Sequence, residues 1–269
     1  MSENVETNYS QRLSLAGRGV VVLGTGAGIG GQVCRAIADA GGRVLAVDLS
    51  ADAAQATADA VGGIAMSADV TDRDQVAAVF DRAEAEFGDA FYGIVDVVGA
   101  TVPEMLADST AESYDKQFDL VLRHAVYVTQ LGLPRLAARG RGSAVFIGSL
   151  AGVAQTRRLG LYGAAKAAEH HLAKAAAAEF GPAGVRVNGI VTGRILASGG
   201  DPNPDTSVLE TVTRAIPLRR TGFPDDIAAV TLFLLSDLAG YVTGVELPVD
   251  GGISMVTPLP STQPANRQQ

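Results

Sequence analysis

The chain has no tryptophan, one cysteine and three histidines among 269 residues. No apolar run approaches the ~18 residues a membrane helix needs, so a membrane partner is not expected. A lone Cys34 excludes an internal disulfide and suits a reducing compartment. His124, His170 and His171 stand at no metal-ligand spacing to Cys34 or to one another, so no metal is expected and the adjacent pair reads as packing or interface residues. Basic runs stop at pairs, Arg157-Arg158 and Arg219-Arg220, and the formal charge is -8. Such a surface cannot neutralise a row of phosphates, which excludes a nucleic-acid partner. The opening MSENVETNYSQRLSL is polar and acidic, unlike a signal peptide, and the expected location is the cytoplasm.

What is present is apolar and rich in glycine: 47% hydrophobic residues, 19% charged and 32 glycines, enough for a large core with many tight turns. β-Branched apolar runs at 19–24, 43–49, 64–70, 91–99, 143–149, 185–191 and in the segment GVELPVDGG alternate with helical patterns. The helices are expected at 30–42, 50–63, 72–88, 111–139, 160–181 and 224–237. Strands apolar throughout and alternating with helices predict an α/β fold, a doubly wound parallel sheet of Rossmann type with helices on both faces. No linker, repeat or low-complexity stretch marks a second domain, so a single domain with its core over about 13–255 is expected. The glycine- and proline-punctuated stretch 193–222 reads as a mobile lid, and the tail after Gly252 as loose.

The first strand-helix junction reads GTGAGIG, with Gly24, Gly28 and Gly30. Glycines there let the backbone approach a pyrophosphate, and the following helix N-terminus offers unpaired N–H groups and a positive dipole end. Ordinary tight turns also use glycines; the position after a strand and before a helix is what favours a nucleotide. The second strand ends in Asp48, 18 residues past Gly30. A carboxylate there accepts from both ribose hydroxyls of adenosine and repels a 2′-phosphate, and Leu49 supplies no cation for one, which favours NAD over NADP. The alternative reading of Asp48 is a helix N-terminal acid near Ser50.

YGAAK places Tyr162 and Lys166 at i and i+4 on one helix face. A phenol beside a fixed ammonium has its anion stabilised, which makes it a proton donor and acceptor near working pH.

Gly24-x-x-x-Gly28-x-Gly30, Ser149 and Tyr162-x-x-x-Lys166, in that order, resemble the short-chain dehydrogenase/reductase family. Ser149 precedes Tyr162 by 13 residues, the family's spacing, and ADVTD, GSLAG, VRVNGI and VTGVELPVDGG match further pieces over about Leu13 to Met255. The resemblance implies a seven-stranded Rossmann-type sheet and the catalytic residues Ser149, Tyr162 and Lys166. It implies a cofactor site of Gly24, Gly28, Ile29, Gly30, Asp48, Leu49, Asp69, Val70, Gly99, Gly193 and Ile195, with Tyr162 and Lys166 at the nicotinamide end. Asp69 and Val70 would flank the adenine. A homo-tetramer or dimer packed through the helices at 111–139 and 160–181 is also implied.

Several positions depart from the family pattern. Asp96-Val97-Val98-Gly99 replaces Asn-Asn-Ala-Gly, Leu23 replaces a threonine, and Thr192-Gly193 replaces Pro-Gly. Ala197 stands in place of another threonine, and Val121 falls where the fourth catalytic residue, an asparagine, is expected. A carboxylate at Asp96 is expected to be paired or to have a raised pKa. Two readings follow. One is an NAD(H)-dependent enzyme interconverting a secondary alcohol and a ketone; the other is a nucleotide-binding, catalytically impaired regulatory or scaffold protein. Apolar residues of the lid (Ile195, Leu196, Val208, Leu209, Val212) and of the entry strip (Val153, Leu159, Leu161) suggest a cyclic, terpenoid, steroid-like or aromatic small-molecule substrate. Arg157 and Arg158 could receive an acidic group there, or belong to a solvated loop.

Overall fold

Seven short apolar runs form one parallel sheet in a computed structural model, which describes residues 8–154, 156–196 and 206–256. The strands are β1 (Gly19–Leu23), β2 (Arg43–Asp48), β3 (Ile64–Ser67), β4 (Phe91–Asp96), β5 (Gly142–Ser149), β6 (Val185–Thr192) and β7 (Glu246–Val249), in the order β3-β2-β1-β4-β5-β6-β7. The helices are α1 (Tyr9–Leu13), α2 (Ile29–Asp39), α3 (Ala51–Val61), α4 (Arg73–Phe87), α5 (Ala111–Phe118), α6 (His124–Leu131), α7 (Leu133–Ala137), α8 (Gly160–Phe180), α9 (Thr206–Ala215) and α10 (Pro224–Leu235).

The two-residue period of a strand divides the core between the sheet's faces. In β1, Val21 and Leu23 join Val76, Phe80, Val128 and Leu133 from α4, α6 and α7. Val20 and Val22 join Val33, Ile37, Ile227 and Leu234 from α2 and α10 on the other face. Because the inner strands β1, β4 and β5 are buried on both sides, they read as continuous apolar runs instead of alternating. This is the doubly wound Rossmann-type fold that the strand-helix alternation predicts. The chain reverses direction across the sheet between β1 and β4, where Leu23 lies beside both Val47 and Asp96. A ligand crevice belongs outside the carboxyl ends of strands at such a switch point.

Two expectations are corrected. The helix expected over 111–139 is three helices, with a π-helical turn at Asp119–Arg123 between α5 and α6 and a break at Gly132 before α7. No glycine or proline precedes Gly132 in that stretch, so nothing in its composition marks the π turn. The strand expected over 64–70 ends at Ser67, because the Asp69 carboxylate turns the chain by accepting from the Thr71 N–H at 2.9 Å. Within the stretch 193–222, α9 and a pairing of Ile195 with Gly222 add regular structure. Residues 197–205, including Ala197, and the tail from 257 lie outside the described residues, as do the side chains of 206–208.

Candidate functional site

The glycine turn follows β1 directly. A Cβ on Gly30 would stand 1.9 Å from the Gly24 carbonyl oxygen, so only glycine lets α2 start this close to the strand. Gly28 is the residue before α2, and no side chain caps the helix there. A Cβ on Gly28 would meet no protein atom within 4 Å, so this face of the turn is open to a ligand group. An uncapped helix N-terminus behind an open glycine turn suits a phosphate. Ile29 packs its side chain on the core and leaves only its main chain to that role.

Asp48 ends β2 beside the turn; Oδ1 accepts from the Ser50 N–H at 3.0 Å, and Oδ2 would lie 3.8 Å from a Cβ on Gly26. Helix capping falls instead to Ser50, whose hydroxyl accepts from the Ala53 N–H at 3.3 Å. A crevice of about 330 Å³ opens here, lined by Gly24, Asp48, Leu49, Asp69, Val70 and Gly99 among others. Six of the residues expected to hold a dinucleotide therefore line one crevice at the switch point. An NAD-type cofactor fits these residues: an open turn for its phosphates, a carboxylate for its ribose, and no cation on Leu49, which is exposed.

Gly99 links this crevice to the YGAAK helix. A Cβ there would lie 3.2 Å from Lys166 Nζ. Lys166 is buried on α8 and donates to the Ile147 carbonyl of β5 at 2.9 Å. Tyr162 stands one turn earlier, and its charge acts on Lys166. Ser149 closes β5, its hydroxyl accepting from the Ala151 N–H at 3.2 Å. The next turn packs against the start of α8, where a Cβ on Gly163 would lie 2.5 Å from the Ala151 carbonyl. Ser149, Tyr162 and Lys166 thus share one edge of the sheet. Gly193 and Ile195 follow β6 farther along that edge, and Gly193 donates to the Val249 carbonyl.

Four buried polar residues, Asp96, His124, Glu169 and His170, lie behind this edge, and of these Glu169 escaped the sequence reading. Asp96 is paired, as one of its two expected states requires: Oδ2 lies 2.8 Å from His124 Nδ1, and Oδ1 accepts from the Val98 N–H at 3.1 Å. Both side chains are fully buried. Glu169 Oε2 lies 2.6 Å from Lys166 Nζ, again with both side chains buried. The contact is close but poorly aligned, and neither Glu169 oxygen makes a well-oriented hydrogen bond among the described residues. Burial pushes the Glu169 carboxyl up to about 7, even against the Lys166 charge. Burial opposes the Lys166 ammonium too, but the charges on Glu169 and Tyr162 more than offset it and hold Lys166 above its ordinary range. His170 is also buried, and its Nε2 accepts from the Ser149 N–H at 3.2 Å. Burial lowers its pKa, which suits the neutral acceptor. Its role as a packing residue therefore includes holding Ser149. The i,i+3 spacing of Lys166 and Glu169 was visible in the sequence; the 28-residue separation of Asp96 and His124 was not.

Val121, at the asparagine position, is fully buried in the π turn. Arg158 donates to the Pro103 carbonyl at 3.3 Å, which ties the entry strip to the segment after β4. A larger cavity of about 590 Å³ lies between Arg194, Ile195, Leu218, Arg220 and Met255. Neither Ser149 nor Tyr162 lines it. The smaller crevice is not lined by Ser149 or Tyr162 either, but it reaches Gly24 of the glycine turn and, at Gly99, the neighbourhood of Lys166 Nζ. Among the described residues no group of histidine, cysteine or carboxylate side chains could hold a metal, and no helix is long and apolar enough to cross a membrane.

Residues 24–254 match the family model described as enoyl-(acyl carrier protein) reductase. The chain is 36% identical over 250 residues to 2,5-dichloro-2,5-cyclohexadiene-1,4-diol dehydrogenase LinX of Sphingobium indicum, covering 90% of this chain and 98% of that protein. It is 31% identical over 248 residues to the 7alpha-hydroxysteroid dehydrogenase of Escherichia coli, covering 90% and 96%. A solved 7α-hydroxysteroid dehydrogenase complexed with NADH and 7-oxoglycochenodeoxycholic acid superposes with a TM-score of 0.85 at 31% identity, covering 91% of this chain and 98% of that one. The ordered glycine turn, Ser149 and Tyr162-x-x-x-Lys166 on a seven-stranded parallel sheet agree with these matches, and the chain belongs to the short-chain dehydrogenase/reductase family of oxidoreductases.

Proposed function

We propose that the protein is an NAD(H)-dependent dehydrogenase that interconverts a secondary alcohol and its ketone, on a hydrophobic cyclic, terpenoid, steroid-like or aromatic substrate. The observation that carries this reading is the position of Lys166: buried, one turn from Tyr162, with its Nζ against Gly99 at the rim of the crevice. Relatives named for a cyclic diol and a steroid support the substrate class, and the open glycine turn with Asp48 supports NAD.

When bound, the nicotinamide cofactor supplies or accepts the hydride. Gly24, Gly28, Ile29 and Gly30 present main chain to its phosphates, Asp48 and Leu49 select the ribose, and Asp69 and Val70 flank the adenine. Gly99, Gly193 and Ile195 border the reacting end. Ser149 holds the substrate oxygen by its hydroxyl, where charge develops. Tyr162 takes the hydroxyl proton during oxidation and returns it during reduction. Lys166 stabilises the phenolate. One domain, with a lid formed from 193–222 over the substrate, completes the reading, along with assembly into a homo-tetramer or dimer through the helices at 111–139 and 160–181.

Thermal shifts with NADH and NADPH, followed by absorbance assays on a panel of cyclic and aromatic secondary alcohols, test the proposal. A larger shift with NADH and turnover of at least one alcohol are expected. A larger shift with NADPH overturns the cofactor assignment. Firm nucleotide binding without turnover across the panel overturns the enzyme and favours an impaired, nucleotide-binding protein.

A further inference from the structure

Glu169 is a carboxylate in a place where an apolar side chain would pack at lower cost. It is fully buried on α8, its Oε1 has no hydrogen-bond partner among the described residues, and Oε2 meets Lys166 Nζ at 2.6 Å in poor alignment. Lys166 does not need it for anchoring, since Nζ already donates to Ile147. Removing a carboxylate from water without good hydrogen bonds is expensive, and such a group is weak evidence for stability. What Glu169 does supply is a negative charge beside the cation that faces Tyr162.

We propose that Glu169 is a positioning residue for the reaction: its charge beside the Lys166 ammonium sets how much of that positive field reaches Tyr162. The inference rests on the reading of Tyr162 as the acid/base. With Glu169 ionised, the ammonium is largely compensated and the phenolate is less favoured. With Glu169 neutral, the same ammonium acts on Tyr162 unopposed. The raised Glu169 titration, near 7, places this change within the working range.

The other charges facing Glu169 are few. β4 contributes Asp96 and α6 contributes His124, paired to each other. Asp119 and Arg123 of the π turn pair together, and Arg135 of α7 and Arg139 just after it pair with α4. Arg186 of β6 donates to carbonyls at the end of α10, and Glu246 of β7 pairs with Lys174. Glu112, Asp115 and Lys116 of α5 are exposed.

Two charges seven helical residues apart are separated by about 10 Å, and at an effective dielectric of about 20 they shift each other's titration by about one pH unit. The test is a pH titration of protein labelled with [13Cζ]tyrosine, which reads Tyr162 without turnover; the loss of one resonance in Tyr162→Phe assigns it. Glu169→Gln, and Glu169→Met as a second variant without a buried polar group, should each move the Tyr162 titration to lower pH by about one unit. In the wild-type protein the Tyr162 resonance should carry a second inflection near 7. That inflection should vanish in both variants and survive in His124→Asn. An unmoved or upward-shifted titration, no inflection in the wild type, or an inflection that follows His124 overturns the proposal. Wild-type protein that turns over no alcohol would refute the proposed function while leaving this titration to judge Glu169 alone.

Discussion

Replacing Gly30 with alanine tests the glycine turn at its tightest point. The added Cβ would lie 1.9 Å from the Gly24 carbonyl oxygen and 2.9 Å from both Gly24 C and Thr25 Cα. All three are backbone atoms, so no side-chain rotation relieves the clash, and the turn must open by about 1.5 Å to reach ordinary contact. Overpacking of this kind costs roughly 1–3 kcal/mol, and at about 2–4 °C per kcal/mol for a chain of this size Tm should fall by about 2–12 °C. A misplacement of about 1 Å in a positioning element also costs on the order of 10²-fold in function, so NADH affinity should fall by at least about tenfold. Differential scanning fluorimetry gives Tm, and fluorescence titration with NADH gives Kd. A Gly30→Ala protein with unchanged Tm and a Kd within about twofold of wild type would refute the steric account of this turn.

The neighbouring glycine should behave differently. A Cβ on Gly28 meets no protein atom, so Gly28→Ala should lower NADH affinity by about tenfold or more while Tm stays nearly unchanged, as read by the same two assays. Glu169 gives a prediction on pH and stability. Its carboxyl titrates near 7 in the folded protein against 4.5 as a model group, so the folded state binds the extra proton and stability falls as pH rises from about 4.5 to 7. The loss is on the order of 3 kcal/mol. Urea unfolding across that window should therefore show wild type losing stability relative to Glu169→Gln, and parallel curves would contradict the burial argument. Lys166 is shifted up instead, so its contribution is lost only as pH rises past the ordinary lysine range.

Repeating patterns made most of the fold legible. Apolar runs such as GVVVL and RVLAVD, each followed by a helical pattern, mark β1 and β2 and so the switch point where the crevice lies. The glycine turn and Asp48 are contiguous signals, and the structure brings them to one crevice. Tyr162 and Lys166 share a helix, so their spacing alone puts them on one face. Less legible were features that arise between distant segments or against local pattern. The π turn at Asp119–Arg123 sits in a stretch with uninterrupted helical character, where tertiary packing and not composition adds the bulge. Asp96 and His124 meet only because β4 and α6 are adjacent in the folded chain. Glu169 reads as an ordinary helix carboxylate until its burial is known; the sequence places it three residues from Lys166 but says nothing of solvent. α9 lies in the stretch read as a lid, whose glycines and prolines at 199–204 do not mark a helix boundary.

The central claim, that a phenol beside a buried ammonium handles the substrate proton, is tested most directly by Tyr162→Phe, assayed for alcohol oxidation with NAD+ and titrated with NADH in parallel. The account predicts a fall in kcat of about 10²–10⁴-fold with the NADH Kd within about twofold of wild type. Near-wild-type turnover by the phenylalanine variant would contradict it.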